Sequence, residues 1–127
     1  MSLLKIQKVA VAMNISSDLL SYISTLESIN LIYSKYTDIA SYTPNPDIPA
    51  LQSAYLAYLA KIILTQIGYT RFNHLYEKYM NTELAFELTP NININIGNTL
   101  GIISYYYLLQ GAKGIYKRDI SQPIFGI

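Results

Sequence analysis

The sequence predicts an all-α protein, a small bundle of four to five helices with a proline-rich connector. Apolar residues recur every three or four positions along most of the chain, which is the spacing of helices that pack along one face. Only residues 91–96 alternate as a strand does, and a lone strand has no partner within the chain. The 127 residues have the size of one domain, so we treat residues 1–127 as a single helical domain. Within it, residues 1–16 are an N-terminal arm or short helix, and residues 112–127 are a C-terminal tail.

The first long helix is predicted over residues 17–42. Ser16 and Ser17 precede it in the position of N-caps, and Asp18 places negative charge at the positive end of the helix dipole. Its apolar residues follow one another at spacings of three and four and form a heptad-like seam, which is typical of a packed face. The seam consists of Tyr22, Leu26, Ile29, Tyr33, Tyr36 and Ala40, widened by Ile32 and Ile39.

A proline-rich connector, residues 43–49, separates this helix from the next one. Its three prolines remove backbone donors and disfavour helical geometry in the residues before them. Pro49 suits the first turn of a second helix, which we predict over residues 49–67. That helix is apolar on nearly every side, so we expect burial all round, part of it against another subunit. Gly68 follows where a left-handed C-cap residue would end the helix.

The rest of the chain is predicted to be mainly helical. A last helix is expected over residues 98–110, whereas residues 84–97 are ambiguous. Within them, residues 91–96 form an intermolecular strand, a loop or an early start of the last helix, and we favour loop or early helix because Asn is a poor strand former. Residues 70–83 repeat the helical pattern, with Phe72, Leu75, Tyr76, Tyr79 and Met80 predicted to face inward.

Composition indicates a surface made for protein–protein contact. Only 13% of the residues are charged, against about 25% in ordinary soluble domains. The thirteen tyrosines and the shortage of charge are typical of interfaces, where Tyr is enriched and Lys and Glu are depleted. No run of about 18 uninterrupted apolar residues occurs, so we expect no transmembrane span, although contact with lipid stays open.

The chain offers little material for catalysis or for metal binding. It contains no cysteine, and His74 is its one histidine. His74 and Glu77 can share a helical face, but a metal site needs further ligands, so a solvent-facing polar stripe explains them better. We therefore predict that the protein is not an enzyme and binds neither a metal nor a cofactor.

Basic residues gather at the two ends of the sequence, while the middle is acidic. Clustered basic side chains bind phosphate without reading base sequence, so these ends are candidates for non-specific contact with double-stranded DNA, unless they are ordinary solvated termini. The candidate nucleic-acid contacts are Lys5, Lys8, Lys113, Lys117 and Arg118.

Small and apolar residues mark the candidate surfaces for self-association. A strip of alanines runs along the second helix, and a Gly-x-x-x-Gly spacing begins at Gly97, a pattern that lets helix backbones approach closely. The chain also ends on apolar residues. The candidate contacts are Ala50, Ala54, Ala57, Gly97, Gly101, Ile124, Phe125 and Ile127.

A short, cysteine-free helical chain that is rich in Ile, Tyr and Asn and poor in charge resembles the coat proteins of viruses of hyperthermophilic archaea, and most closely those of the large tailed spindle-shaped viruses. The resemblance implies a helical-bundle capsid protein that polymerises around a DNA genome. Our leading hypothesis is accordingly a self-assembling structural subunit of a virion. The alternative is a small dimeric helical adaptor or DNA-associated regulator, located in the cytoplasm.

Overall fold

The protein consists of three long α-helices. The computed structural model describes residues 2–37, 45–81 and 87–121. Helix α1 spans Ser2–Thr37, α2 spans Asp47–Met80 and α3 spans Thr89–Ser121. At about 1.5 Å per residue, each helix is roughly 50 Å long. The predicted all-α class is confirmed, but the described residues form three helices and not the predicted four to five.

The helix count differs because two predicted boundaries lie inside continuous helices. Ser16 and Ser17 are not N-caps but interior residues of α1: the Ser16 hydroxyl donates to the Ala12 carbonyl at 3.0 Å, one turn back along the same helix. Gly68 likewise does not end a helix, since α2 continues through it to Met80. Serine and glycine are compatible with helix interiors when tertiary packing compensates for their low helix propensity.

Residues 91–96 belong to α3, which begins at Thr89. The alternative of an early helix start is therefore confirmed. Pro90 lies in the first turn, where the missing backbone donor costs nothing because that N–H has no helical partner. Pro49 occupies the same kind of position in the first turn of α2, as predicted. Residues 43 and 44 of the predicted connector lie outside the described residues.

The helices run up, down and up, with α2 in the middle. Hydrogen bonds join Ser17 to Ser53 and Ser24 to Pro46, so positions that advance along α1 recede along α2. In the described residues α1 and α3 each pack against α2 and make no contact with each other. The arrangement is thus a single layer of helices, in which the two outer helices each have one neighbour.

Little apolar surface is buried in this layer. Among the described residues, the buried hydrophobic side chains are those of Ala10, Ala60, Ile67 and Leu109. The chain exposes 8972 Å², against roughly 6,800 Å² for a compact protein of this mass. The described helices therefore bury less apolar surface among themselves than a domain of this length ordinarily does.

Candidate interaction surfaces

Serine hydroxyls join α1 to α2 at the middle of their contact. The Ser17 hydroxyl donates to the Ser53 carbonyl at 2.8 Å, and the Ser53 hydroxyl donates to the Ser17 carbonyl, also at 2.8 Å. The Ser21 hydroxyl lies 2.6 Å from Ser53 Oγ and completes the network. Ser17 and Ser53 are 4% and 6% exposed, so their hydroxyls are satisfied by the chain itself and not by solvent.

The same register places small residues opposite one another at heptad intervals. One heptad from the serine pair, Ala10 and Ala60 are both 0% exposed. One heptad in the other direction, the Ser24 hydroxyl donates to the Pro46 carbonyl at 2.8 Å. Small side chains at every layer allow the two backbones to approach closely, which is the packing mode of small-residue helix pairs. We call this contact the serine–alanine seam.

Polar groups also lie between α2 and α3. The Lys61 ammonium donates to Asn98 Oδ1 at 3.2 Å, and its aliphatic stem lies over Gly101, where an added side chain would require the lysine to shift. The buried Thr65 hydroxyl donates to the Lys61 carbonyl at 2.7 Å, with the Asn98 carbonyl 3.4 Å away. Lys61 is thus held within the contact between the two helices.

Helices α2 and α3 also come close at Gly68 of α2 and where a tyrosine of each helix meets. A side chain at Gly68 would come within 2.7 Å of Asn95 Oδ1, so this interior glycine serves close packing in place of the predicted cap. The rings of Tyr58 and Tyr106 lie 6.2 Å apart between centroids. Toward the far end of α3, the Lys113 ammonium lies 5.1 Å above the Tyr55 ring, a favourable cation–π distance.

The apolar seam predicted for the first helix does not pack inside the described part of the chain. Tyr22, Leu26, Ile29 and Tyr33 of this seam lie on the side of α1 that faces away from α2. Together with residues closer to the N-terminus they form an exposed line, which we call the α1 stripe. Members are between 43% and 64% exposed. The α1 stripe consists of Leu4, Val11, Ile15, Leu19, Tyr22, Leu26, Ile29 and Tyr33.

Helix α3 carries a matching exposed line on its own outer side, which we call the α3 stripe. Its members are Ile96, Leu100, Ile103 and Tyr107, which are between 53% and 69% exposed. Gly111 and Gly114 continue the same helical spacing toward the C-terminus, and nothing lies near the position that a side chain would take at either one. The α3 stripe is therefore bulky in its first half and small in its second half.

Of the residues predicted to face inward in segment 70–83, some are half-buried and the others are exposed. Phe72 and Leu75 are half-buried in α2, as expected. Tyr76, Tyr79 and Met80 are 47%, 48% and 61% exposed, so their predicted inward placement is wrong. They lie in the last turns of α2, beyond the start of α1, where no described helix on that side covers them.

The five predicted nucleic-acid contacts do not form one surface. Lys5 and Lys8 are exposed near the start of α1, whereas Lys113, Lys117 and Arg118 lie near the end of α3. Because α1 and α3 both run antiparallel to α2, the start of one and the end of the other lie at opposite ends of the layer. Arg118 also pairs with the neighbouring Asp119 at 3.4 Å.

The predicted self-association residues are similarly divided. The three alanines are half-buried along α2, Gly97 faces open space, and Gly101 lies under the Lys61 side chain within the chain's own packing. The two glycines therefore do not act as one close-contact motif. The alanines are Ala50, Ala54 and Ala57, and the apolar tail residues Ile124, Phe125 and Ile127 lie outside the described residues.

The sequence did not predict the contact between the carboxyl groups of Asp47 and Asp119 at one end of the layer. Burial raises the pKa of Asp47 to about 6, and the adjacent Asp119 carboxylate, hydrogen-bonded to it, adds to the rise. The same hydrogen bond holds the pKa of Asp119 below its ordinary value, with Arg118 acting in the same direction. The two residues are far apart in the sequence, so no local pattern reveals that the antiparallel register brings them together.

The described residues offer no metal-binding group of three His, Cys, Asp or Glu side chains, and His74 is exposed. Two grooves of about 450 and 570 Å³ lie along α2 and α3, and Asp47 is the one carboxylate among their lining residues. Asp119, whose carboxyl group is hydrogen-bonded to that of Asp47, is not among the lining residues.

Two helices are long and apolar enough to cross a membrane by length and composition: the part of α1 over Ser2–Ser34, and α2 over Asp47–Met80. Core helices and signal sequences meet the same criteria, so the expectation that the chain has no transmembrane span stays a prediction. Comparison with protein-family models, with curated proteins and with solved structures finds no match to this chain.

Proposed function

We propose that the protein is a structural subunit that assembles with copies of itself, and that it is not an enzyme. The observation that carries the proposal is the distribution of side chains: small and polar residues fill much of the contacts between helices, while many large apolar residues are exposed. Ordering a chain of this length costs conformational entropy, and among the described residues only four buried hydrophobic side chains, two of them alanines, offset it. Burial against further copies supplies the missing apolar contact.

An open assembly fits these surfaces better than the closed dimer of an adaptor. The layer has two free outer helices, each with its own apolar stripe, so pairing one of them leaves the other exposed. A subunit with two different self-association surfaces continues to add copies, whereas a closed dimer stops growing. In its sharper form the proposal is a coat subunit in a virion, the role of the archaeal viral coat proteins that the sequence resembles.

Sedimentation velocity over a wide range of protein concentrations, with electron microscopy of the most concentrated sample, tests this function. We expect species larger than a dimer that grow with concentration and persist in high salt, because apolar burial is not screened by ions. A protein that remains monomeric at every concentration and salt would contradict self-assembly. A species that stops at the dimer would favour the adaptor.

The proposed contact with a DNA genome is tested separately by the salt dependence of binding to duplex DNA. Lys5 and Lys8 lie at one end of the layer and the α3 cations at the other, so each cluster contributes independently. In Lys5→Gln/Lys8→Gln we expect the slope of log affinity against log salt to fall by about 2. Unchanged affinity and slope would remove this end from the DNA contact. Val9→Lys, which adds a cation at an exposed position beside the two lysines, serves as the opposite control.

A further inference from the structure

The single layer of helices leaves two edges without a neighbour. Helix α2 is packed on two sides, by α1 through Ser53 and Ala60 and by α3 through Lys61 and Thr65. Each outer helix packs on one side against α2 and carries an exposed apolar stripe. Ile96, Leu100 and Tyr107 of the α3 stripe also line the grooves beside α2. The α1 stripe and the α3 stripe are therefore the two surfaces on which the layer can be extended.

The exposed area is large enough for two contacts per subunit. The chain exposes 8972 Å², about 2,100 Å² more than the roughly 6,800 Å² expected for a compact protein of this mass. A stable protein–protein contact buries about 800 Å² on each partner. The excess thus corresponds to a contact on each edge.

Charge favours one pairing of these edges over its reverse. Along α1 the start is basic, at Lys5 and Lys8, and an acidic residue, Asp18, follows. Helix α3 is preceded by an acidic residue, Glu87, and carries its basic residues near its end. When α3 of one copy lies parallel to α1 of the next at the same level, the basic residues 113–118 of α3 lie level with residues 19–24 of α1, between Asp18 and Glu27. The antiparallel arrangement of the same two helices brings Lys5 and Lys8 to the basic end of α3, where like charges repel.

Side-chain size favours the same arrangement. The Ser17–Ser53 register puts Tyr22 level with residue 48 of α2, and the Tyr58–Tyr106 register puts residue 48 level with residue 116 of α3. In a layer continued at the same level, Leu19 in the middle of the α1 stripe thus lies level with the small part of the α3 stripe, between Gly111 and Gly114. Large side chains opposite glycines allow close packing without overlap.

We propose that copies of the chain join edge to edge, with the α3 stripe of one copy packed in parallel against the α1 stripe of the next, so that the layer of helices continues from subunit to subunit. The inference rests on the proposed self-assembly and names its contact. Such a contact is heterologous, joining two different surfaces, and it therefore produces rings or filaments and not closed dimers.

Two edge variants and their mixture test the pairing. Ile15→Glu/Leu19→Glu places charge in the α1 stripe, and Leu100→Glu/Tyr107→Glu does so in the α3 stripe; all four residues are exposed, so the folded layer tolerates the changes. We expect each variant to be monomeric alone, because each lacks one of the two surfaces of every contact. Mixed together they form a dimer, since each supplies the edge that the other has lost. The control Gln66→Glu, exposed on α2, assembles like the unmodified protein.

The outcomes that contradict the proposed edge pairing differ from the outcome that contradicts self-assembly. If either variant forms homodimers alone, like edges pair with like edges. If both variants assemble as the unmodified protein does, the stripes are not the contact. An unmodified protein that stays monomeric and instead floats with phosphatidylcholine vesicles contradicts self-assembly itself and assigns the stripes to lipid.

Cysteine cross-linking gives a second readout that does not depend on disruptive variants. The chain contains no cysteine, so introduced thiols react without background. Ile15→Cys/Gly111→Cys is expected to give a ladder of cross-linked multimers with a short bifunctional thiol reagent. Ile15→Cys alone gives no cross-linked dimer when α1 lies against α3 of the neighbour. A dimer from Ile15→Cys alone, with no ladder from the double variant, overturns the proposed edge pairing.

Discussion

The two sides of α1 differ in a way that ordinary soluble helices do not. The side that packs on α2 is made of serines and alanines at heptad spacing, and its hydrogen bonds and close approach hold the two helices together. The opposite side, the α1 stripe, has the same spacing but consists of large apolar residues that are exposed. The chain itself covers the less apolar side. The comparison teaches that the stronger hydrophobic pattern of a helix need not face its own chain, and we assign the α1 stripe to the proposed assembly for that reason.

Overpacking the serine–alanine seam is expected to have the largest effect. Ala10 is 0% exposed, and by register it lies opposite the equally buried Ala60. Ala10→Leu forces the two helices apart and should lower the free energy of unfolding by about 3 kcal/mol, the upper end of the usual cost of overpacking. Urea unfolding followed by circular dichroism measures the change. Ala12→Leu, at an exposed position of the same helix, is the matched control and should leave the midpoint nearly unchanged.

Truncating the α1 stripe should affect assembly and leave the seam intact. Ile29 is 57% exposed in the single chain, so Ile29→Ser changes no packed contact there. If the stripe is buried in the assembly, loss of this side chain costs about 2 kcal/mol per contact, which raises the concentration of half-assembly at least tenfold. Light scattering gives that concentration, and helix content by circular dichroism is expected to stay the same. An unaltered assembly curve would exclude Ile29 from the contact.

Removing one hydroxyl from the serine network is expected to have a smaller effect on stability. The Ser53 hydroxyl donates to the Ser17 carbonyl and lies 2.6 Å from the Ser21 hydroxyl, so Ser53→Ala removes a hydrogen-bond partner from both groups. The expected loss is about 1 kcal/mol or slightly more in the free energy of unfolding. Ser16→Ala removes only a bond to the helix's own Ala12 carbonyl and should be neutral. Equal effects of the two substitutions would show that the seam does not depend on its hydroxyl network.

The smallest expected effect is a pH dependence at the end of the layer where α2 begins. The pKa of Asp47 is raised to about 6, mainly by burial, so the folded state binds this proton more tightly than the unfolded state does. The stabilisation is complete below the ordinary pKa of 3.8 and is lost as the pH rises through about 6. Asp119 has a lowered pKa, so its contribution is present above its ordinary value and is lost on further acidification.

The contact between Asp47 and Asp119 is accordingly tightest between about pH 4 and 6, where one carboxyl is neutral and the other is charged. Hydrogen exchange of the first turn of α2 should quicken as the pH passes 6, beyond the intrinsic rise with pH. Asp47→Asn keeps a hydrogen-bond donor without a titrating proton and should remove the extra step. A step of the same size in Asp47→Asn would assign the pH dependence to another group.

Sequence patterns predicted the helical class, which follows from local spacing, and left the early start of α3 as one of the favoured alternatives, since a proline at residue 90 fits a first turn. They failed at Ser16, Ser17 and Gly68, where capping chemistry and close helix packing favour the same residue types. Only the register between helices separates the two roles, and that register is a tertiary property. The inward placement of Tyr76, Tyr79 and Met80 failed for a related reason, since periodicity identifies an apolar face without saying what covers it.

The proposed surfaces show the same limit. The apolar seam of the first helix was predictable from its spacing. That it lies on the side facing away from α2 was not, because the serines that contact α2 are too polar to be recognised as a packed face from hydrophobicity. The division of the basic residues between the two ends of the layer also depends on topology. A chain of three antiparallel helices begins at one end of the layer and finishes at the other, so residues 5 and 118 lie far apart. The Asp47–Asp119 pair, finally, needs the antiparallel register of α2 and α3.

Tyrosine modification in the assembled protein tests the central claim most directly. Tyr22 in the α1 stripe and Tyr107 in the α3 stripe are 63% and 69% exposed in the single chain, and Tyr79 near the end of α2 is 48% exposed. Nitration with tetranitromethane, quantified by mass spectrometry below and above the assembly concentration, reports whether a neighbour covers each ring. Self-assembly through the two edges predicts that Tyr22 and Tyr107 become protected on assembly while Tyr79 keeps its reactivity. Equal reactivity of Tyr22 and Tyr107 in dilute and assembled protein would contradict it.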